Sequence, residues 1–132
     1  MRQNNDLGLL IIRFSVGILM LLHGIAKLKG VDFIGGMLAA KGLPEFMAYG
    51  VYVGEIIAPI LIIIGYRTRL AAFIFAGNVA VAAYLAYAND IFSLNKHGGW
   101  ELELLGLYFF GALALILMGG GKFAVSRHNS WD

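Results

Sequence analysis

The chain has 132 residues, of which 60% are apolar and 14% charged, with a formal charge of +2. A water-soluble chain this short could not hide so much apolar side chain, because small chains keep a large surface, so lipid is expected to be part of the solvent. The small charge and the lack of basic tracts interleaved with aromatics argue against a nucleic-acid partner, and the absence of cysteine removes disulfide, CxxC and thiolate-metal chemistry.

Four apolar segments follow in chain order: Leu7–Leu28, Phe46–Tyr66, Leu70–Ala88 and Leu102–Gly120. Each is near the ~20 residues that a helix needs to cross ~30 Å of hydrocarbon. Backbone amides in lipid must be paired internally, and the alternation of a β-barrel is missing, so four transmembrane helices are predicted. The first segment is expected to be a retained helix and not a signal peptide: Arg13 interrupts it and no small-x-small cleavage pattern follows. After it comes "KGVDFIGGMLAAKGLPEF". Here Phe33, Met37 and Leu38 can share one face of a short interfacial helix that Gly42 ends, before Pro44 and Glu45 open the second span. "GYRTRL" is short enough to make the second and third spans antiparallel neighbours. Tyr66, Tyr87 and Trp100 fall near span ends, where amphipathic rings prefer the interface. The fold class is therefore all-α: an integral membrane four-helix bundle in one domain, residues 1–132.

Packing in lipid depends on close backbone approach. Gly17 and Gly24 in the first span, Gly50, Gly54 and Ala58 in the second, and Ala72, Ala76 and Ala80 in the third are small-residue ladders suited to it. Pro59 is expected to disturb the second span just past Glu55. Counting Lys and Arg outside the spans gives Arg2, Arg67, Arg69, Lys122 and Arg127 on one side against Lys27, Lys29, Lys41 and Lys96 on the other. This bias places both ends of the chain in the cytoplasm.

Ionisable groups inside a membrane are costly and are kept against partners, water or substrate. Arg13, His23 and Glu55 lie inside spans, while Glu101 and Glu103 open the fourth. At ~100° per residue, Gly17, Met20, Gly24 and Lys27 fall within ~40° of Arg13, and His23 within ~80°. His23 and Glu55 lie ~8 and ~14 Å from span ends on the same side of the membrane. One inward-facing polar cluster is therefore expected, with Asn78 adding an amide. His23 and Glu55 are the candidates to pass protons; Arg13, Lys27, Asn78, Glu101 and Glu103 are the candidates to bind a ligand. A quinone or a small oxyanion suits that set. No metal site is expected, since only His23 and carboxylates are available, at no recognisable ligand spacing. Haem between His23 and His97 is the weaker reading, and "GGGK" lacks the context of a phosphate loop. The opposing readings are a structural Arg13–carboxylate ion pair, a His23 that only bonds a neighbouring helix, a solvated His97, and Lys27 and Glu101 as interfacial residues that snorkel, the preferred reading for Lys27.

The combination of Arg13, His23-Gly24, Lys27, Gly42-Leu43-Pro44, Glu55, Gly65, Thr68-Arg69, Glu101 and Gly119-x-Gly121 resembles the DoxX family of small bacterial membrane proteins. The resemblance covers nearly the whole chain. It implies a four-helix protein of the bacterial inner membrane, labelled an oxidoreductase or associated with one, with relatives linked to thiosulfate:quinone oxidation or to complexes that handle oxidative stress. The family's motifs would map to Arg13, His23, Lys27, Glu55 and Glu101; many members carry an acidic residue where this chain has Ser126. VKOR-type four-helix thiol oxidoreductases look similar in architecture but need paired cysteines. The expected function is a redox-associated membrane subunit that binds a quinone-like or small oxyanion ligand and takes electrons from a redox partner protein or a soluble cofactor. A non-catalytic helper subunit and a small-molecule transporter are the alternatives.

Overall fold

The computed structural model describes residues 4–132, so Arg2, counted above for orientation, lies outside the described residues. The helices are α1 (Asn5–Ala26), α2 (Asp32–Ala40), α3 (Glu45–Ile64), α4 (Thr68–Tyr87) and α5 (Glu103–Met118). A single 3-10 turn, Lys27–Lys29, extends α1. The Asn4 side chain starts α1 by accepting the Leu7 N–H at 3.0 Å, which satisfies one of the donors every helix start leaves free.

α1, α3, α4 and α5 run alternately up and down, and each packs against two neighbours in the ring α1–α3–α4–α5. α1, α3 and α4 are long and apolar enough to cross a membrane. α5 is apolar but has 16 residues, which at ~1.5 Å per residue reach only ~24 Å. A bilayer accommodates a shortfall of that size by thinning locally.

The core is narrow. Met20, Ile62, Ala72, Phe75, Val79, Tyr108 and Leu115 meet along the bundle axis. Large apolar side chains such as Ile11, Ile18, Leu22, Phe73, Leu107, Phe110 and Leu117 face outward. A continuous exposed apolar belt on every span is stable only against acyl chains. The two expected lines of approach on the first span hold. A Cβ on Gly24 would strike the Glu55 carbonyl, and one on Gly17 would lie 2.6 Å from Ile63 and 3.0 Å from the Pro59 carbonyl oxygen. The other ladders hold in part: Gly54 meets Asn78, and Ala58, Ala72 and Ala76 are buried, but Gly50 has open space beside it and Ala80 is exposed.

α3 is not uniform. It begins as a 3-10 helix, Glu45–Tyr49, and carries a π turn over Val53–Ile57. There the Ala58 N–H reaches back to the Val53 carbonyl. Pro59 has no N–H to give the Glu55 carbonyl, so the π turn absorbs the mismatch, and Glu55 sits inside it. Such turns recur at functional positions.

α2 lies across one end of the bundle and ends at Gly42, whose φ is +75°. The Leu43 N–H bonds the Leu38 carbonyl at 2.9 Å and the Gly42 N–H bonds that of Ala39 at 3.0 Å, the paired closure that favours glycine. Of the three residues expected to share one face, Leu38 is buried against the protein and Met37 packs partly against it. Ile34 and Leu38 pack with Val31 and Ala48, while Phe33 is 60% exposed. The anchoring pair is spaced i, i+4, and Phe33 is left at the rim of a cavity.

Candidate functional site

That cavity opens between α1, α2, α3 and α4, has a volume of about 320 Å³, and is lined by His23, Lys27, Glu55, Asn78 and Glu101 on its polar side. Phe33, Met37, Val51, Val81 and Leu85 form its apolar walls. A smaller chamber of about 80 Å³ continues inward past Met20 to Tyr108. An apolar groove of about 230 Å³ adjoins it between α2, α3 and α4, sharing Val51, Asn78 and Leu85.

At the centre is Glu55, 5% exposed. The Lys27 Nζ donates to Glu55 Oε1 at 2.6 Å. The Tyr52 hydroxyl donates to the Lys27 carbonyl oxygen at 3.0 Å, which holds the end of α1 against α3. The Gly24–Glu55 backbone contact sets the register that brings Lys27 over the carboxylate. His23 is exposed and lines both chambers. Its ring stands edge-on to that of Tyr108, with centroids 6.1 Å apart, and Tyr108 stands similarly against Phe75 at 5.9 Å. A carboxylate, an ammonium, an imidazole and an amide thus surround one solvent-sized space with apolar walls, a set able to hold a polar ring and exchange protons with it.

Two residues expected in this cluster are elsewhere. Arg13 is 1% exposed and points the other way along α1. Its Nε donates to the Ile62 carbonyl at 2.9 Å, and its terminal nitrogens to those of Ile63 at 2.7 Å and Gly120 at 3.4 Å. The reason is register. With Gly17 against Pro59 and Ile63, Arg13 comes level with the last turn of α3, whose carbonyls have no partners within the helix. Side chains on a helix also lean toward its N-terminus, away from Glu55. Leu61 accepts from Gly65 and Tyr66, and Ile64 from Val125, so Arg13 supplies what the two remaining carbonyls lack. Glu103 is exposed and outside the cavity; Asn95 Nδ2 donates to its Oε1 at 3.3 Å. The same Asn95 accepts the N–H groups of His97 and Gly99, so Glu103 helps close the loop before α5.

Tyr52, Tyr108 and Phe33 were not anticipated. Tyr52 precedes Glu55 by three residues and shares its helix face, and Tyr108 is a hydroxyl-bearing ring in an otherwise apolar span. Both were legible as polar atoms needing partners in lipid. Among the described residues, no three His, Asp or Glu side chains converge as a metal site.

Charge is divided unevenly between the ends. The cavity end carries Lys27, Lys29, Lys41 and Lys96 against six carboxylates, Asp32, Glu45, Glu55, Asp90, Glu101 and Glu103. The opposite end carries Arg67, Arg69, Lys122 and Arg127 against Asp6 and Asp132. With Arg13 withdrawn and Lys27 engaged by Glu55, no unpaired Lys or Arg lines the cavity among the described residues.

Comparison with known proteins now bears on these positions. Residues 8–88 match the DoxX family model, a range that holds His23, Lys27, Glu55 and Asn78. The chain is 33% identical over 76 residues to a Bacillus subtilis protein named putative oxidoreductase CatD, a match covering 58% of this chain and 57% of that one. The chain thus spans less than two thirds of CatD's length. It is 28% identical over 128 residues to the Escherichia coli inner membrane protein YqjF, covering 96% of this chain and 95% of the relative. An uncharacterised Haemophilus influenzae protein is 33% identical over 121 residues, covering 88% and 86%. No solved structure matches the chain.

Proposed function

The chain belongs to the DoxX family of membrane proteins, and from that premise we propose that it is a redox-associated subunit of the bacterial inner membrane that binds a quinone-like ring in the Lys27–Glu55 cavity. The observation that carries this reading is the nearly buried Glu55 carboxylate, paired with Lys27 at 2.6 Å, facing a cavity of about 320 Å³ beside an accessible imidazole. The volume is at the lower end of the range for small-molecule sites. The apolar groove alongside suits a lipid-soluble tail. A quinone supplies a two-electron, two-proton couple, and this chain's part is to hold the ring and manage protons. Lys27 and the Asn78 amide are donors for ring oxygens; Glu55 and His23 take up or return protons. A small oxyanion is disfavoured, because Lys27 is already neutralised and Glu101 adds negative charge at the mouth. Electrons come from a partner protein, and the 132 residues act as one unit with both ends in the cytoplasm.

Names among the relatives support a redox setting and an inner-membrane location. The helper-subunit reading draws support from the direct Lys27–Glu55 ion pair, which would also lock helix register. A transport role has less support, since Met20, Phe75 and Tyr108 fill the bundle beyond the inner chamber. The discriminating experiment is calorimetric titration of purified protein in detergent with a short-chain quinone. His23→Ala and Glu55→Gln are expected to weaken binding at least about tenfold. His23→Ala should leave the thermal midpoint nearly unchanged, because the imidazole contributes no hydrogen bond to the fold among the described residues. Equal affinity in the wild type and both variants would refute the ligand reading, and a loss of stability alone would favour the lock.

A further inference from the structure

The opposite end of the bundle holds a second cavity, larger and more open, with a volume of about 540 Å³. Arg69, Lys122 and Arg127 line it, together with Ser130, Gly119–Gly121 and the carboxylate-bearing Asp132. The segment 119–132 is tied down as a strap. The Val125 and Ser126 N–H groups donate to the Ile64 and Gly65 carbonyls, Gly120 donates to Asp132, and Arg69 donates its backbone N–H to Trp131. The basic groups are therefore held in place over the start of α4 and the end of α5.

The carboxylates nearby are already engaged. Asp132 accepts from Arg67 at 3.0 Å and from the Asn129 N–H at 2.8 Å, and Asp6 accepts the Lys122 N–H at 3.0 Å. Among the described residues, Arg127 reaches only the Lys122 carbonyl, at 3.4 Å, and the Arg69 guanidinium makes no hydrogen bond or ion pair. Among the described residues, two guanidiniums and an ammonium without carboxylate partners thus face one space. Its level in the membrane is given by the helices: α4 begins and α5 ends beside it. Exposed Phe123, Val125 and Trp131 neighbour its lining residues along the chain, the apolar and aromatic residues expected where headgroups begin.

We propose that this cavity binds the phosphate of an anionic phospholipid, with Arg69 and Arg127 as its paired donors. Guanidinium forks match phosphate oxygens two at a time, and basic pockets at span ends gather anionic headgroups. The openness of the site at the level of the headgroups suits a lipid arriving from the side better than a small free anion.

Native mass spectrometry of the full chain in detergent, with added phosphatidylglycerol, reads the site directly. Arg69→Gln and Arg127→Gln are each expected to weaken phosphatidylglycerol binding about fivefold, and the double variant about 25-fold. Lys96→Gln at the other end should change nothing, and phosphatidylcholine should bind no better to the wild type than to the double variant. Circular dichroism checks folding; if Arg69→Gln does not fold, Arg127→Gln carries the test alone. Undiminished phosphatidylglycerol binding in the folded variants overturns the proposal. So does displacement of the lipid by millimolar inorganic phosphate with the same arginine dependence, which would make the site one for a soluble anion.

Discussion

Replacing Arg13 tests the tertiary account most sharply. The guanidinium supplies the partners for the Ile62 and Ile63 carbonyls and reaches Gly120, so one side chain on α1 finishes α3 and ties down the segment after α5. Arg13→Met keeps most of the volume and removes every donor. Two buried carbonyls left unpaired cost about 1–3 kcal/mol each. Releasing a buried cation from its desolvation returns part of that, leaving a net loss of about 3 kcal/mol. For a chain of this size the thermal midpoint should fall by about 10 °C. Arg13→Lys keeps the charge but offers one compact head in place of a fork, and should lose about half as much. The assay is thermal unfolding in detergent followed by circular dichroism, with quinone titration on the same samples. A midpoint for Arg13→Met within about 2 °C of the wild type would falsify the capping role. An Arg13→Lys variant of normal stability that no longer binds quinone would return Arg13 to the ligand site.

Gly24→Val drives a Cβ into the Glu55 backbone carbonyl, and neither helix can yield without losing the Lys27–Glu55 pairing. The variant is expected to elute as aggregate in size-exclusion chromatography, whereas Gly36→Ala on α2, with open space around it, should match or exceed wild-type stability by about 0.5–1 kcal/mol. Normal elution of Gly24→Val would mean that α1 and α3 approach less closely than described. The Arg67–Asp132 tie makes a prediction about acid. Burial opposes ionisation of Asp132, but hydrogen bonds from Ser126, from the Asn129 N–H and from Arg67 outweigh it and hold the carboxyl at about 2, below its ordinary 3.8. The strap's stabilisation is then complete above about pH 4 and is lost as pH falls through about 2. Fluorescence of Trp131 in a Trp100→Phe background should show its transition near 2; a midpoint near 4 would mean that the carboxylate is unpaired in solution.

Composition and hydropathy were enough to place the four spans to within a few residues, because a chain with so few charges must satisfy its backbone within helices once lipid replaces water. The interfacial helix and its glycine stop were legible for a similar reason: φ at Gly42 follows from a local turn that needs no distant partner. Depth brought His23, Glu55 and Glu101 to one end, since helix rise converts sequence position into height, but the same count also admitted Glu103, which lies outside the cavity. What the sequence left open was rotation and register. The span count left the long Arg13 side chain within reach of Glu55, and only the seating of Gly17 and Gly24 on α3 puts Arg13 level with the free carbonyls at the end of α3 and leaves Lys27 as Glu55's partner. Spacing puts Phe33, Met37 and Leu38 near one face of α2 but does not say which residues meet the bundle; packing against Ala48 seats Ile34 and Leu38 there and leaves Phe33 exposed. Segment identity is local and follows from solvent and periodicity. Which polar group meets which is a property of contacts between helices, and these depend on backbone approach distances that no single span encodes.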